Sequence, residues 1–247
     1  MNKFANVSRL VCAAAAIALL AVPALAAVVD EPVLGLQDKP VINLGGTGSK
    51  DAAVTNVVYD STNQTVSAAS STTDLSAIYG DEMILAGGIG EDVSAMKFGV
   101  FCSGSSTGAL VSATETLRFY DLTNAGAFIG GFSANLGALA QGFYSIYTIT
   151  AIESVVMINI PSADVLVTQQ LSNVVGASRM GTVLSYANAP AVGATNNQFY
   201  ASNSALAAGW YVITGQTFSN PHYKLETVQS AVPTESQTWG SLKAEFR

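Results

Sequence analysis

Apolar and polar residues alternate along most of this chain in short runs, broken at intervals by clusters of Gly, Asn and Ser. Residues 93–101 (VSAMKFGVF) set Met96, Phe98 and Val100 on one face with Ser94, and leave Lys97 and Gly99 on the other. Residues 116–120 (TLRFY) turn Leu117 and Phe119 inward and Arg118 outward. A period of two is that of a half-buried strand. Similar runs predict strands over 57–60, 82–85, 127–132, 143–149, 154–160, 164–170, 182–186, 209–213 and 222–228. Capped apolar stripes of period 3.6 are almost absent, and so many short strands do not suit an α/β fold. The pattern predicts an all-β antiparallel sandwich.

The two ends read differently. Lys3 and Arg9 precede an apolar run over residues 11–25 that closes on Ala24-Leu25-Ala26. This is the layout of a secretory signal peptide cleaved after Ala26, and the run is short for a membrane span, which needs ~20 residues. The chain is therefore expected to be secreted, with no transmembrane segment once residues 1–26 are removed. Residues 27–54, with Pro32, Pro40 and Gly45-Gly46, read as a lead-in with one strand at 41–44. The sandwich is expected over residues 55–230. Residues 231–247 read as a polar linker and tail, in which Trp239, Leu242 and Phe246 fall at i, i+3, i+7 behind Thr238 as an N-cap. That spacing predicts a short amphipathic helix, or a flexible tail that folds only against a partner.

Charge and cysteine content narrow the function classes. Beyond residue 26 the chain keeps 8 basic side chains against 17 acidic ones, a net of −9. An acidic surface of this kind argues against nucleic acid, whose phosphates need Lys and Arg, and against anionic lipid headgroups. Cys12 lies in the leader, so Cys102 stands alone and no intrachain disulfide is expected in the exported protein. Its place at the end of an apolar strand predicts a buried thiol.

Val58-Tyr59-Asp60, Tyr79-Gly80-Asp81-Glu82, the 93–101 strand, Leu117-Arg118-Phe119-Tyr120-Asp121, Val165-Leu166-Val167-Thr168 after Pro161, and Tyr223-Lys224-Leu225-Glu226 follow one another in an order that resembles a known set. It is the jelly-roll β-sandwich domain of secreted bacterial surface proteins with C-terminal sorting or anchoring tails, such as planctomycete-type surface proteins, some of them with PEP-CTERM tails. The resemblance covers residues 55–230. Trp239-Gly240 and Lys243, ahead of the terminal Arg247, are similar to the Trp-Gly-x-x-Lys endings of some of these proteins. The tail departs from a PEP-CTERM signal in lacking the apolar span between motif and basic end. The resemblance implies a jelly roll, and it implies no catalytic residues.

Candidate chemistry is sparse. Gly104-Ser105-Ser106-Thr107-Gly108 satisfies G-x-S-x-G, but a nucleophile elbow needs a strand before it and a helix after it. His222 is the sole histidine, so a zinc site of N and S ligands cannot be assembled, and it reads as solvated or loosely hydrogen-bonded. Asp60, Asp81, Glu82, Glu91, Asp92 and Asp121 fall at strand ends and turns, where extracellular sandwiches hold calcium through carboxylate and carbonyl oxygens. Asp60, Asp81 and Glu82 are the candidate ligands. Trp210, Tyr211, Tyr200, Tyr186 and Tyr144 are candidate sugar platforms, and Asn196-Asn197-Gln198 adds amides suited to sugar hydroxyls.

Together these features predict a secreted, non-catalytic cell-surface or extracellular-matrix protein. Trp239, Leu242, Lys243 and Phe246 would dock on a cell-envelope component. The alternative is a carbohydrate-binding module for an envelope polysaccharide, possible with calcium, that uses Trp210, Tyr211, Asn196, Asn197 and Tyr200. A secreted hydrolase built on a carboxylate pair stands third.

Overall fold

A computed structural model describes residues 37–38, 42–43, 55–62, 68–72, 77–103, 110–139, 143–177, 179–185, 188–203, 207–213 and 216–229. The leader, most of the lead-in, the Gly104–Gly108 pentapeptide, Tyr186, the side chain of Tyr144, and the tail with Trp239, Leu242, Lys243 and Phe246 lie outside the described residues.

In chain order the strands are β1 (Gln37–Asp38), β2 (Ile42–Asn43), β3 (Asn56–Asp60), β4 (Ala68–Thr72) and β5 (Ile78–Ile84). Next come β6 (Asp92–Ser103), β7 (Ser112–Asp121), β8 (Ala127–Asn135), β9 (Phe143–Thr150) and β10 (Asp164–Val175). β11 (Arg179–Ser185), β12 (Phe199–Ser202), β13 (Gly209–Tyr211), β14 (Asn220–Pro221) and β15 (Tyr223–Val228) complete them. The described chain is all-β in two sheets. One has nine strands with β4-β11-β6-β9 across its middle. The other has six, in the order β13-β12-β5-β10-β7-β8. Every pairing is antiparallel except those of β1 and β2 with β9. Among the described residues no helix is long and apolar enough to cross a membrane.

Alternation sets each strand's inward face. In β7 every second residue from Ala113 to Asp121 is buried. Met96, Phe98 and Val100 of β6 meet Leu117 and Phe119 of β7 and Val165 and Val167 of β10 in one core. Cys102 is buried there as a free thiol, and burial raises its pKa.

Three hydrogen bonds join the sheets through this core. Tyr59 on β3 donates to Asp81 Oδ2 on β5 at 2.6 Å, and Tyr223 on β15 donates to Gln169 Oε1 on β10 at 2.7 Å. Thr182 on β11 also donates to Gln169 Oε1, at 3.1 Å.

Residues 154–160 are not a strand. Ile152–Ser154 form a 3-10 turn, and the chain then runs as a strap whose Ile158 and Ile160 are buried. It is linked to β6 by a bridge from Asn159 to Asp92, with the Val93 N–H donating to the Ile158 carbonyl and the Asn159 amide donating to Asp92 Oδ1 at 3.1 Å. Alternate burial there imitates a strand because the strap lies across the core's rim.

The long β6 changes partner on one edge. β15 pairs with it from Asp92 to Phe98, and β11 from Val100 to Ser103. At the changeover sits Gly99, where a Cβ would lie 2.7 Å from Val183 Cβ and 3.3 Å from His222 Cβ. Gly99→Ala is therefore expected to destabilise the protein by about 1–3 kcal/mol through overpacking, as read by a lowered denaturant midpoint at unchanged slope.

Candidate functional site

The outward face of the six-stranded sheet carries the described groove best suited to a ligand. Cross-strand register sets its side chains in rows. One row runs Trp210, Tyr200, Gly80, Thr168, Arg118 from β13 to β7. The next runs Glu82, Leu166, Tyr120, Phe128 from β5 to β8. Between them a groove of about 250 Å³ is lined by Ile78, Tyr120, Gly126, Leu166, Thr168 and Tyr200.

Each flank holds an aromatic pair. Tyr200 and Trp210 meet edge to face with centroids 5.7 Å apart, and so do Tyr120 and Phe128. Tyr200 on β12 and Tyr120 on β7 stand three strand spacings apart, about 14 Å at the backbone. Gly80 lies buried beneath the Leu166 and Thr168 side chains that line the groove. A Cβ there would lie 2.7 Å from the Val167 carbonyl oxygen and within 3.1 Å of Thr168 and Leu166 side-chain carbons, so the absence of a side chain lets those two lean over β5.

Two polar pairs stand on the same face, outside the groove's lining. Arg118 donates to Gln170 Oε1 at 2.9 Å. Asn196 donates to Glu82 Oε2 at 2.6 Å. Asp164 lies beside Glu82, and burial raises the pKa of both carboxyls; the Asp164 charge adds to the rise at Glu82. The face thus carries donors, acceptors and aromatic rings around the groove.

Of the expected platform, Trp210 and Tyr200 stand together on this face. Tyr211 does not reach it. Neighbours on a strand point to opposite sides, so Tyr211 is buried against Phe199, with its hydroxyl donating to the Ala207 carbonyl at 2.6 Å. Asn196 is exposed and bonds to Glu82 of the same sheet. Asn197 takes a left-handed φ of 60° in the loop before β12. Tyr120 and Phe128 are a gain over the sequence reading. They lie eight residues apart, on either side of the β7–β8 turn, and meet across a register shift between the two strands.

The expected calcium ligands do not converge. Asp81 faces the core at 0% exposure, and Glu82, its neighbour on β5, faces outward. Asp60 sits in the other sheet, where its Oδ1 accepts from the Thr62 N–H at 2.8 Å and the Thr62 hydroxyl at 2.7 Å. Calcium needs six to eight oxygens around one point, and these three residues do not fit it. Among the described residues no group of three or more His, Cys, Asp or Glu is placed to hold a metal.

His222 is buried and not solvated. Its Nδ1 lies 3.2 Å from Ser185 Oγ, and both residues are at 0% exposure, out of a substrate's reach. Comparison of the chain with protein-family models, curated proteins and solved structures finds no match.

Proposed function

We propose that this is a secreted, non-catalytic surface protein whose sandwich binds a neutral glycan in the groove between Tyr200–Trp210 and Tyr120–Phe128. The observation that carries the reading is the pair of aromatic flanks on one groove. Pyranose faces stack on exposed rings while their hydroxyls need both donors and acceptors, here Arg118–Gln170 and Glu82–Asn196. The acidic chain favours a neutral glycan over an anionic one. Burial of the Ser185–His222 pair favours binding over hydrolysis.

The finer fold proposed is a jelly roll like that of the bacterial surface domains the sequence resembles. Supporting it, strands β4 to β11 are arranged as β4-β11-β6-β9 in one sheet and β5-β10-β7-β8 in the other, as two Greek keys require. Secretion and docking by Trp239, Leu242, Lys243 and Phe246 on a cell-envelope component complete the proposal on the sequence alone. Removal of residues 233–247 should then abolish retention on isolated envelopes while leaving glycan binding intact.

Calorimetric titration with soluble neutral glucans, mannans and xylans tests the groove. Trp210→Ala and Tyr120→Ala should each weaken the binding glycan roughly tenfold or more, a loss of about 1.4 kcal/mol or more, with unchanged melting temperature. Binding to none of the three, or equal binding by both variants, would remove the groove from consideration.

A further inference from the structure

We propose that β8 is a self-association edge, and that a second copy of this chain adds to it in antiparallel fashion. Among the described residues β8 pairs only with β7, and at nine residues it is the longest described strand on an open sheet edge. The opposite edge of the same sheet, β13, has three residues. Natural proteins blunt open edges with Lys, Pro or inward charges. Residues 127–135 (AFIGGFSAN) contain none of these, although 27 charged side chains are spread along the chain. The one irregularity, the register shift opposite Tyr120, leaves residues 130–135 regular.

The missing charge also selects the occupant. A copy of an acidic protein meets its own charge almost everywhere on the surface, but an uncharged edge can oppose itself without repulsion. Exposed apolar side chains lie on β8 and on the strap packed against it. The two most exposed large apolar side chains among the described residues are Met157 at 77% and Phe128 at 63%. Phe128 is on β8, and Met157 is on the strap whose Ile158 packs against Gly130 of β8. Antiparallel pairing of one edge with its copy closes a two-fold dimer.

The geometry has a consequence for the groove that rests on the glycan reading above. The two-fold axis of an antiparallel strand pair is perpendicular to the sheet, so both outward faces lie on one side of a twelve-stranded sheet. The two copies of β10 would then be five strand spacings apart, about 24 Å. The dimer would present two grooves to one glycan surface and gain avidity without a new contact.

Sedimentation of the full chain across the micromolar range tests the edge. The wild type is expected to reach twice the monomer mass. A127K/S133K, at two exposed positions outside the groove, is expected to stay monomeric, as is A127E/S133E. Mixing the two should restore the dimer, which a merely misfolded variant could not do. A wild type that is monomeric throughout, or a lysine variant that sediments like the wild type, would overturn the proposal. Glycan measurements separate the two readings. The monomeric variant should keep its affinity for a short soluble oligosaccharide and lose roughly 10²-fold on immobilised polysaccharide. A dimer that binds no glycan would sink the groove and leave the edge standing.

Discussion

Glu115→Met is expected to stabilise the protein at neutral pH by about 1–3 kcal/mol, the cost of a buried polar group left without a partner. Glu115 points inward from β7 at 0% exposure, and neither carboxyl oxygen closes a hydrogen bond. The Tyr223 hydroxyl, which feels the Glu115 charge, is spent on Gln169. Burial pushes the Glu115 carboxyl well above its ordinary pKa. Methionine keeps the unbranched stem and removes the polar end.

The same substitution should change the pH dependence. Burial also holds Asp81 well above the usual carboxylate range, against the hydrogen bonds from Tyr59 and Thr195. Above about pH 4 the unfolded chain releases both protons while the folded protein keeps them. The native state then binds more protons, so stability falls as pH rises, by about 1.4 kcal/mol per unit for each carboxyl still protonated in the fold. The fall ends at each folded pKa.

Two carboxyls act the other way. Thr123 and Ser162 hold Asp121 low, and at Glu226 the Lys224 and Thr55 contacts outweigh burial. Their stabilisation is present above the unfolded pKa and is lost as pH falls through the lowered folded values. Maximum stability is thus expected near the unfolded carboxylate pKa, about pH 4–5. Calorimetry from pH 4 to 8 should show a falling melting temperature in the wild type and a shallower fall in Glu115→Met. A flat wild-type profile, or a variant that melts lower, would contradict the account.

Strands with large apolar residues at every second position were legible because burial of one face imposes that period. Met96, Phe98, Val100, Leu117 and Phe119 all face the core as the alternation requires. β4 was not legible, since Ala68–Thr72 (AASST) holds no large apolar residue and is ordered by its pairing to β11. β12 was hidden behind the Asn196-Asn197-Gln198 turn signal. The strap at 154–160 misled because a segment lying over the core's rim also buries alternate residues.

The candidate site was half legible. Trp210 and Tyr200 are aromatic at strand positions, but only register reveals that they are cross-strand neighbours. Tyr120 and Phe128 join the site through pairing between β7 and β8, which a linear pattern does not specify. Asp81 was misplaced for a physical reason. A polar residue looks like a strand end, so a strand beginning at Glu82 was expected, whereas β5 begins at Ile78 and Tyr79, Asp81 and Met83 share its inward face. The alternation of Tyr79 and Met83 around Asp81 was the available signal.

Asp81→Leu is expected to destabilise the protein by about 3 kcal/mol, the opposite sign to Glu115→Met, although both carboxyls are fully buried. The difference lies in the partner. Asp81 Oδ2 accepts from Tyr59 at 2.6 Å, and Oδ1 lies 3.4 Å from the Thr195 hydroxyl. Leucine would leave the Tyr59 hydroxyl in the core without its acceptor, and an orphaned buried donor costs about 1–3 kcal/mol in its own right. Because Tyr59 belongs to one sheet and Asp81 to the other, the loss falls on the joint between them. Asp81→Asn keeps a carbonyl for Tyr59 and should cost about 1 kcal/mol or less. In a double-mutant cycle, Tyr59→Phe with Asp81→Leu should cost less than the two single changes added together, by about 1 kcal/mol or more. Strict additivity would mean that the two side chains are neighbours without being partners, and that this bond adds nothing to the joint between the sheets.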